Sequence, residues 1–149
     1  MRWLKGSFLP GLVLCLAAVV AVAACSSTAT GTAQPTFSGG PRLSFDRQTW
    51  DFGEVAPGKP LEAVFRFQNL GDKPLVIEKA YTRVVEGCCP TQPDVEAMKL
   101  SPGKESTLAV RFTMQKGMTG PHVFEVLVLS NDQVEPEAKL TIKALFVEE

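Results

Sequence analysis

The sequence predicts an all-β domain, a sandwich of two antiparallel sheets with seven to eight short strands, preceded by a signal peptide and a flexible linker. Three observations predict it. From Arg42 onward, apolar and polar residues alternate in short runs. Residues that favour turns break those runs at Ala56-Pro57-Gly58-Lys59, Asn69-Leu70-Gly71-Asp72, Ser101-Pro102-Gly103-Lys104 and Ser130-Asn131-Asp132. No apolar stripe at helical spacing interrupts the pattern. Period-two alternation with β-branched and aromatic residues puts one face of each strand in a core. Proline presets φ for a turn and glycine supplies positive φ.

The strands follow in order. Trp50 and Phe52 alternate with polar neighbours near the first turn and are expected to fill the core there. Ala63, Phe65 and Phe67 share one face, with Glu62, Arg66 and Gln68 on the other. Leu75 and Ile77 come next. Leu108, Val110 and Phe112 follow, then Phe124, Val126 and Val128, and last Leu140, Ile142, Ala144 and Phe146. About a hundred residues bury a working core, so one domain over residues 42–149 suffices. No widely spaced cysteine pair is present to bridge the two sheets.

The N-terminus carries a different signal. Arg2 and Lys5 precede an apolar run from Phe8 to Ala24, which ends Val22-Ala23-Ala24-Cys25. A charged start, an apolar middle and small residues at the end mark a secretory signal over residues 1–24. The last four residues resemble the bacterial lipobox. That resemblance implies cleavage before Cys25 and lipid on its thiol (diacylglyceryl, palmitate), so the protein is expected outside the cytoplasm, anchored to a cell membrane. The rival is an uncleaved transmembrane helix, for which 17 mostly apolar residues are short. Either reading makes the membrane a partner. Ser26 to Pro41 holds Ser, Thr, Ala, Gly, Gln and Pro around a single large side chain, Phe37. Such a stretch buries too little surface to fold. Residues 25–41 therefore read as a lipidated cysteine and tether, with a coil reach of roughly 20–24 Å.

Charge excludes one class of partner. Arg2 and Lys5 are two of the 15 basic residues, and their loss leaves 13 against 16 acidic ones. That balance, with no basic stripe, argues against nucleic acid.

Trp50-Asp51-Phe52-Gly53-Glu54-Val55, then Pro57-Gly58, then Phe65 through Ile77 with Asn69-Leu70-Gly71-Asp72-Lys73-Pro74-Leu75 at its centre, resembles an uncharacterised bacterial family of immunoglobulin-like domains related to Hydin-type and major-sperm-protein-like domains. Leu100 to Lys104 and Ser130 to Asp132 fit its later turns. The resemblance covers about residues 43 to 146 and implies an immunoglobulin-like β-sandwich. It implies no activity, because a fold does not fix one. Asp51-Phe52-Gly53 also matches the metal-binding tripeptide of protein kinases, but the chain has no glycine-rich phosphate loop and no catalytic-loop signature.

With Cys15 in the signal and Cys25 lipidated, Cys88 and Cys89 are the thiols left for chemistry. The family often carries Cys-Gly-Cys here. This chain departs from that with Gly87-Cys88-Cys89-Pro90, so no family role carries over. Three readings stand. One is a vicinal disulfide, strained because adjacent Cα atoms are about 3.8 Å apart. Another is a soft-metal site, with copper as the cofactor. The last is two thiols without chemistry, free or buried. Met114, Met118 and the single histidine, His122, recur at intervals of four, in what reads as the loop before a strand from Val123 to Leu129. Cys88, Cys89, Met114, Met118 and His122 would make a sulfur–nitrogen site for a cuprous ion if the two loops share one end of the sandwich. Against this, methionine is ordinarily core filler. No catalytic residues are assigned: His122 has no serine motif around it, and the carboxylates scatter over polar faces. The leading expectation is a non-enzymatic binding or structural module of the cell envelope with an envelope protein as partner. Copper handling at Cys88, Cys89, Met118 and His122 and thiol–disulfide redox chemistry at Cys88–Cys89 are the alternatives.

Overall fold

In a computed structural model of the chain, residues 38–89 and 91–147 are described. The expected signal peptide, Cys25 and most of the tether lie outside them. Among the described residues there are no helices, so none is long and apolar enough to cross a membrane. The strands are β1 (Leu43–Phe45), β2 (Thr49–Val55), β3 (Pro60–Asn69), β4 (Leu75–Glu86), β5 (Asp94–Val95), β6 (Lys99–Leu100), β7 (Glu105–Thr113), β8 (Gly120–Ser130) and β9 (Glu137–Phe146). Seven have three or more residues. The other two, β5 and β6, are two-residue ladders.

One sheet runs β1-β3-β7-β5 and the other β2-β9-β8-β4-β6. Four strands facing a β9-β8-β4 centre is the arrangement of a constant-type immunoglobulin sandwich. The remaining strands, β2 and β6, extend the second sheet at its edges. One pair departs from the expected antiparallel order, because β2 lies parallel to β9. The N-terminal strand crosses from the edge of the first sheet (β1) to the edge of the second (β2), where it meets the last strand rather than a hairpin neighbour.

The core follows the predicted parity. Ala63, Phe65 and Phe67 from β3 lie beside Leu108, Val110 and Phe112 of the neighbouring β7, and together they face the inward residues of β8 and β9 in the other sheet. Each fully buried Phe or Leu contributes roughly 1.5–3 kcal/mol. Trp50 and Phe52 are partly buried and pack on this core, Trp50 edge-on to Phe65 at 6.0 Å and Phe52 edge-on to Phe112 at 5.8 Å. The tripeptide Asp51-Phe52-Gly53 has a structural use. Gly53 N donates to Asp51 Oδ1 at 2.8 Å, and the β2–β9 register shifts between Asp51 and Glu54.

The residues that carried the family resemblance are largely structural hubs. Asn69 is fully buried, and its side chain makes four hydrogen bonds. Its Nδ2 donates to the carbonyls of Lys73 (2.8 Å) and Leu100 (3.1 Å), and its Oδ1 accepts from the amides of Arg42 (3.2 Å) and Gly71 (3.0 Å). That saturates a carboxamide. Gly71 leaves room for the incoming chain, since a Cβ there would lie 2.1 Å from the Gly40 carbonyl oxygen. Asp72 accepts from the amides of Gly39 (3.0 Å) and Gly40 (2.9 Å) and pins that segment.

Candidate functional site

The end of β4, the start of β8 and the end of β9 lie together, because Glu86 pairs with Val123 and Gly120 with Phe146. Two connections meet at this end of the sandwich. One runs from Gly87 into the cysteine pair, and the other runs from Met114 to Thr119.

The first connection leaves β4 through Gly87, with φ +87°, and passes through Cys89, with φ +63°. Cys89 is the one non-glycine among the described residues with positive φ. A side chain held there costs about 1–2 kcal/mol and persists only where its surroundings impose it. In the second connection Gly117, also at φ +87°, lets the chain turn so that Met118 N donates to Gln115 O at 3.1 Å. Gly58 N donates to Met114 O at 2.7 Å, which ties this connection to the β2–β3 turn.

The result is a chain of three sulfurs. Cys89 Sγ lies 2.9 Å from Cys88 Sγ, and Cys88 Sγ lies 3.7 Å from Met118 Sδ. Both cysteines are free thiols, Cys89 exposed and Cys88 half-buried. The neighbouring Cys89 thiol holds the Cys88 pKa above the ordinary thiol range, and desolvation pushes it the same way. A thiol kept protonated is a poor nucleophile.

His122 lies in β8, opposite Ala144, and not in the loop that the sequence suggested. It continues the inward row of Phe124, Val126 and Val128 and is only 4% exposed. Its Nδ1 lies 3.2 Å from the carbonyl oxygen of Gly120, which can only accept, so Nδ1 carries the hydrogen of that bond. The ring meets Phe146 edge-on at 5.1 Å and backs against Gly87, where a Cβ would stand 2.3 Å from its Cδ2. Met114 extends the inward row of β7 and is 1% exposed within the core cluster.

Of the five residues proposed as ligands, Cys88, Cys89 and Met118 are thus brought together. His122 braces their loop from beneath, and Met114 fills the core. Among the described residues, no three His, Cys, Asp or Glu side chains are grouped to hold an ion, and the third sulfur beside the two cysteines is the Met118 thioether. Gly87 and Gly117 were not singled out in the sequence. Their signal was a glycine immediately before Cys88 and another immediately before Met118.

Fold and site together define an immunoglobulin-like β-sandwich with a sulfur cluster between two loops at one end. The chain belongs to the family described as protein of unknown function (DUF1573), whose pattern matches residues 43–146. No curated protein matches it. Among solved structures, a protein of unknown function from Porphyromonas gingivalis W83 is similar with TM-score 0.55 and 19% identity, over 76% of this chain and 49% of that one. The secreted serine protease VesC from Vibrio cholerae is similar with TM-score 0.54 and 16% identity, over 70% of this chain and 23% of that one. The chain therefore spans half or less of each of these proteins. At such identities the likeness shows the fold alone.

Proposed function

We propose that this chain is a non-enzymatic binding module of the cell envelope, held to a membrane by lipid on Cys25, whose sandwich takes an extended segment of an envelope protein along β4. The observation that carries this reading is the open edge of β4. Twelve residues long, it meets β6 only at Leu75 and Val76, with one further bond from Ile77 N to the Met98 carbonyl. From Glu78 to Glu86 no strand among the described residues pairs with that edge. Near its end Val84 and Val85 are 38% and 56% exposed. An unpaired edge offers backbone donors and acceptors to an added strand, and exposed apolar side chains give that strand something to pack on.

A photo-crosslinking amino acid at position 85, compared with one at position 134, tests the reading in intact cells. Val134 is equally apolar and 61% exposed, but lies in the β8–β9 connection at the opposite end. A discrete protein adduct at 85 and none at 134 is the expected result. Equal or absent adducts at both positions would sink it.

A further inference from the structure

We propose that Cys88, Cys89 and Met118 bind one Cu(I) ion in a three-sulfur site. The donor set is two thiols and a thioether. Such soft ligands select cuprous copper over the harder divalent ions, which take imidazole, carboxylate and water more readily. No carboxylate belongs to the set.

The spacing fits. Two sulfurs each about 2.3 Å from a common ion stand about 3.8 Å apart at a tetrahedral angle and about 4.0 Å apart at the trigonal angle of a three-coordinate ion. Cys88 Sγ and Met118 Sδ are 3.7 Å apart. The Cys88–Cys89 pair, at 2.9 Å, has to open by about 0.9–1.1 Å to reach that separation. Cys89 is exposed, so a χ1 rotation achieves this without moving the core. As the ion binds, each thiol gives its proton to solvent and its sulfur forms the bond to copper. Copper remains Cu(I), nothing is oxidised, and two thiolates and one thioether leave the site with one net negative charge.

Backbone and packing hold the sulfurs in place before an ion arrives. Gly117 turns Met118 toward the cysteines, and the left-handed conformation of Cys89 sets the second thiol beside the first. The buried His122 ring, fixed through Nδ1 to the Gly120 carbonyl, supports Gly87 one residue before Cys88. Strained residues held in this way are characteristic of ligand clamps. The exposed side of Cys89 leaves the site open to ligand exchange. The site lies beyond the end of the β4 edge and needs no protein partner, so it stands or falls independently of the binding reading.

The test uses the full chain in detergent, reduced and anaerobic, titrated with Cu(I) against bicinchoninate as competing chelator. One Cu(I) retained per chain is expected, with a sulfur-dominated coordination sphere in X-ray absorption and a rise in the unfolding midpoint. Met118→Leu conserves volume, so the midpoint of the ion-free chain should shift only slightly. Its Cu(I) affinity should fall by about tenfold or more and the copper-induced rise should shrink accordingly. Cys88→Ser should abolish retention. Three results would each overturn the proposal: no Cu(I) retained by the reduced chain, wild-type affinity in both variants, or Zn(II) bound as tightly as Cu(I).

Discussion

Gly87 carries two constraints on one residue. Its φ of +87° favours a residue without Cβ, and its Cα sits against the His122 ring, where an added methyl would lie 2.3 Å from Cδ2. His122 cannot easily retreat, because Nδ1 is held by the Gly120 carbonyl and the ring also meets Phe146. Gly87→Ala is therefore expected to cost roughly 2–4 kcal/mol, from positive-φ strain and overpacking together. A lower urea midpoint, with shifted His122 ring resonances in NMR, checks this. An unchanged midpoint would mean the ring is not packed as described. The same residue-scale reading explains why His122 and Met114 were hard to assign from sequence. Each has the parity of its strand's inward face, as Phe124 and Phe112 do, but lies at or beyond the strand end, where period two no longer says whether the sandwich still closes over it.

At the scale of elements, Asp132 joins the two sheets at the end opposite the sulfurs. Its Oδ2 accepts from the amide of Leu43 in β1 at 2.9 Å and faces Arg42, and its Oδ1 accepts from the amides of Val134 (2.9 Å) and Glu135 (3.3 Å) in the β8–β9 connection. Burial pushes the carboxyl upward, but the three amides and the Arg42 charge outweigh it, and its pKa ends below the ordinary carboxylate range. A depressed folded pKa stabilises above the unfolded value of about 3.9. That contribution is lost as pH falls through the folded value. Asp132→Asn puts an amide NH2 against donors and should cost about 2–3 kcal/mol at pH 7. The gap between variant and wild type should narrow below about pH 4. Denaturant midpoints across that range check both statements, and a gap independent of pH would refute the assignment. Asn131 works alongside it, accepting from Val76 N at 2.8 Å and donating to the Pro74 carbonyl at 3.1 Å. The Ser130-Asn131-Asp132 segment was legible as a turn. Its role in locking the sheets was not, because its partners lie up to 90 residues away in the chain.

For the whole molecule, the proposed lipid on Cys25 and the stretch that follows it would set how far the sandwich stands from a membrane. The tether is shorter than the 16 residues Ser26–Pro41, because Asp72 holds the amides of Gly39 and Gly40, and Gly40 and Pro41 are buried. Two acyl chains anchor stably, at about 0.8 kcal/mol per buried methylene. Cys25→Ser is expected to abolish labelling by a palmitate analogue and to leave the precursor uncleaved, with the sandwich's thermal midpoint unchanged. Labelling that persists in the variant would place the lipid elsewhere or remove it from the account.

The sequence by itself determined the all-β class, the inward face of the longer strands and the positions of the turns, because period-two burial and turn chemistry are local properties of the chain. It also marked Cys88 and Cys89 as notable. Only the tertiary structure decided which residues meet them. Whether Met118, Met114 or His122 reaches the cysteines depends on where a loop after β7 lands relative to a loop after β4, and on whether β8 starts at Gly120 or at Val123. Those are matters of sheet register and of contacts some thirty residues apart. Register follows from the packing of two whole sheets, so no local pattern could have separated the proposed ligand, the brace and the core filler.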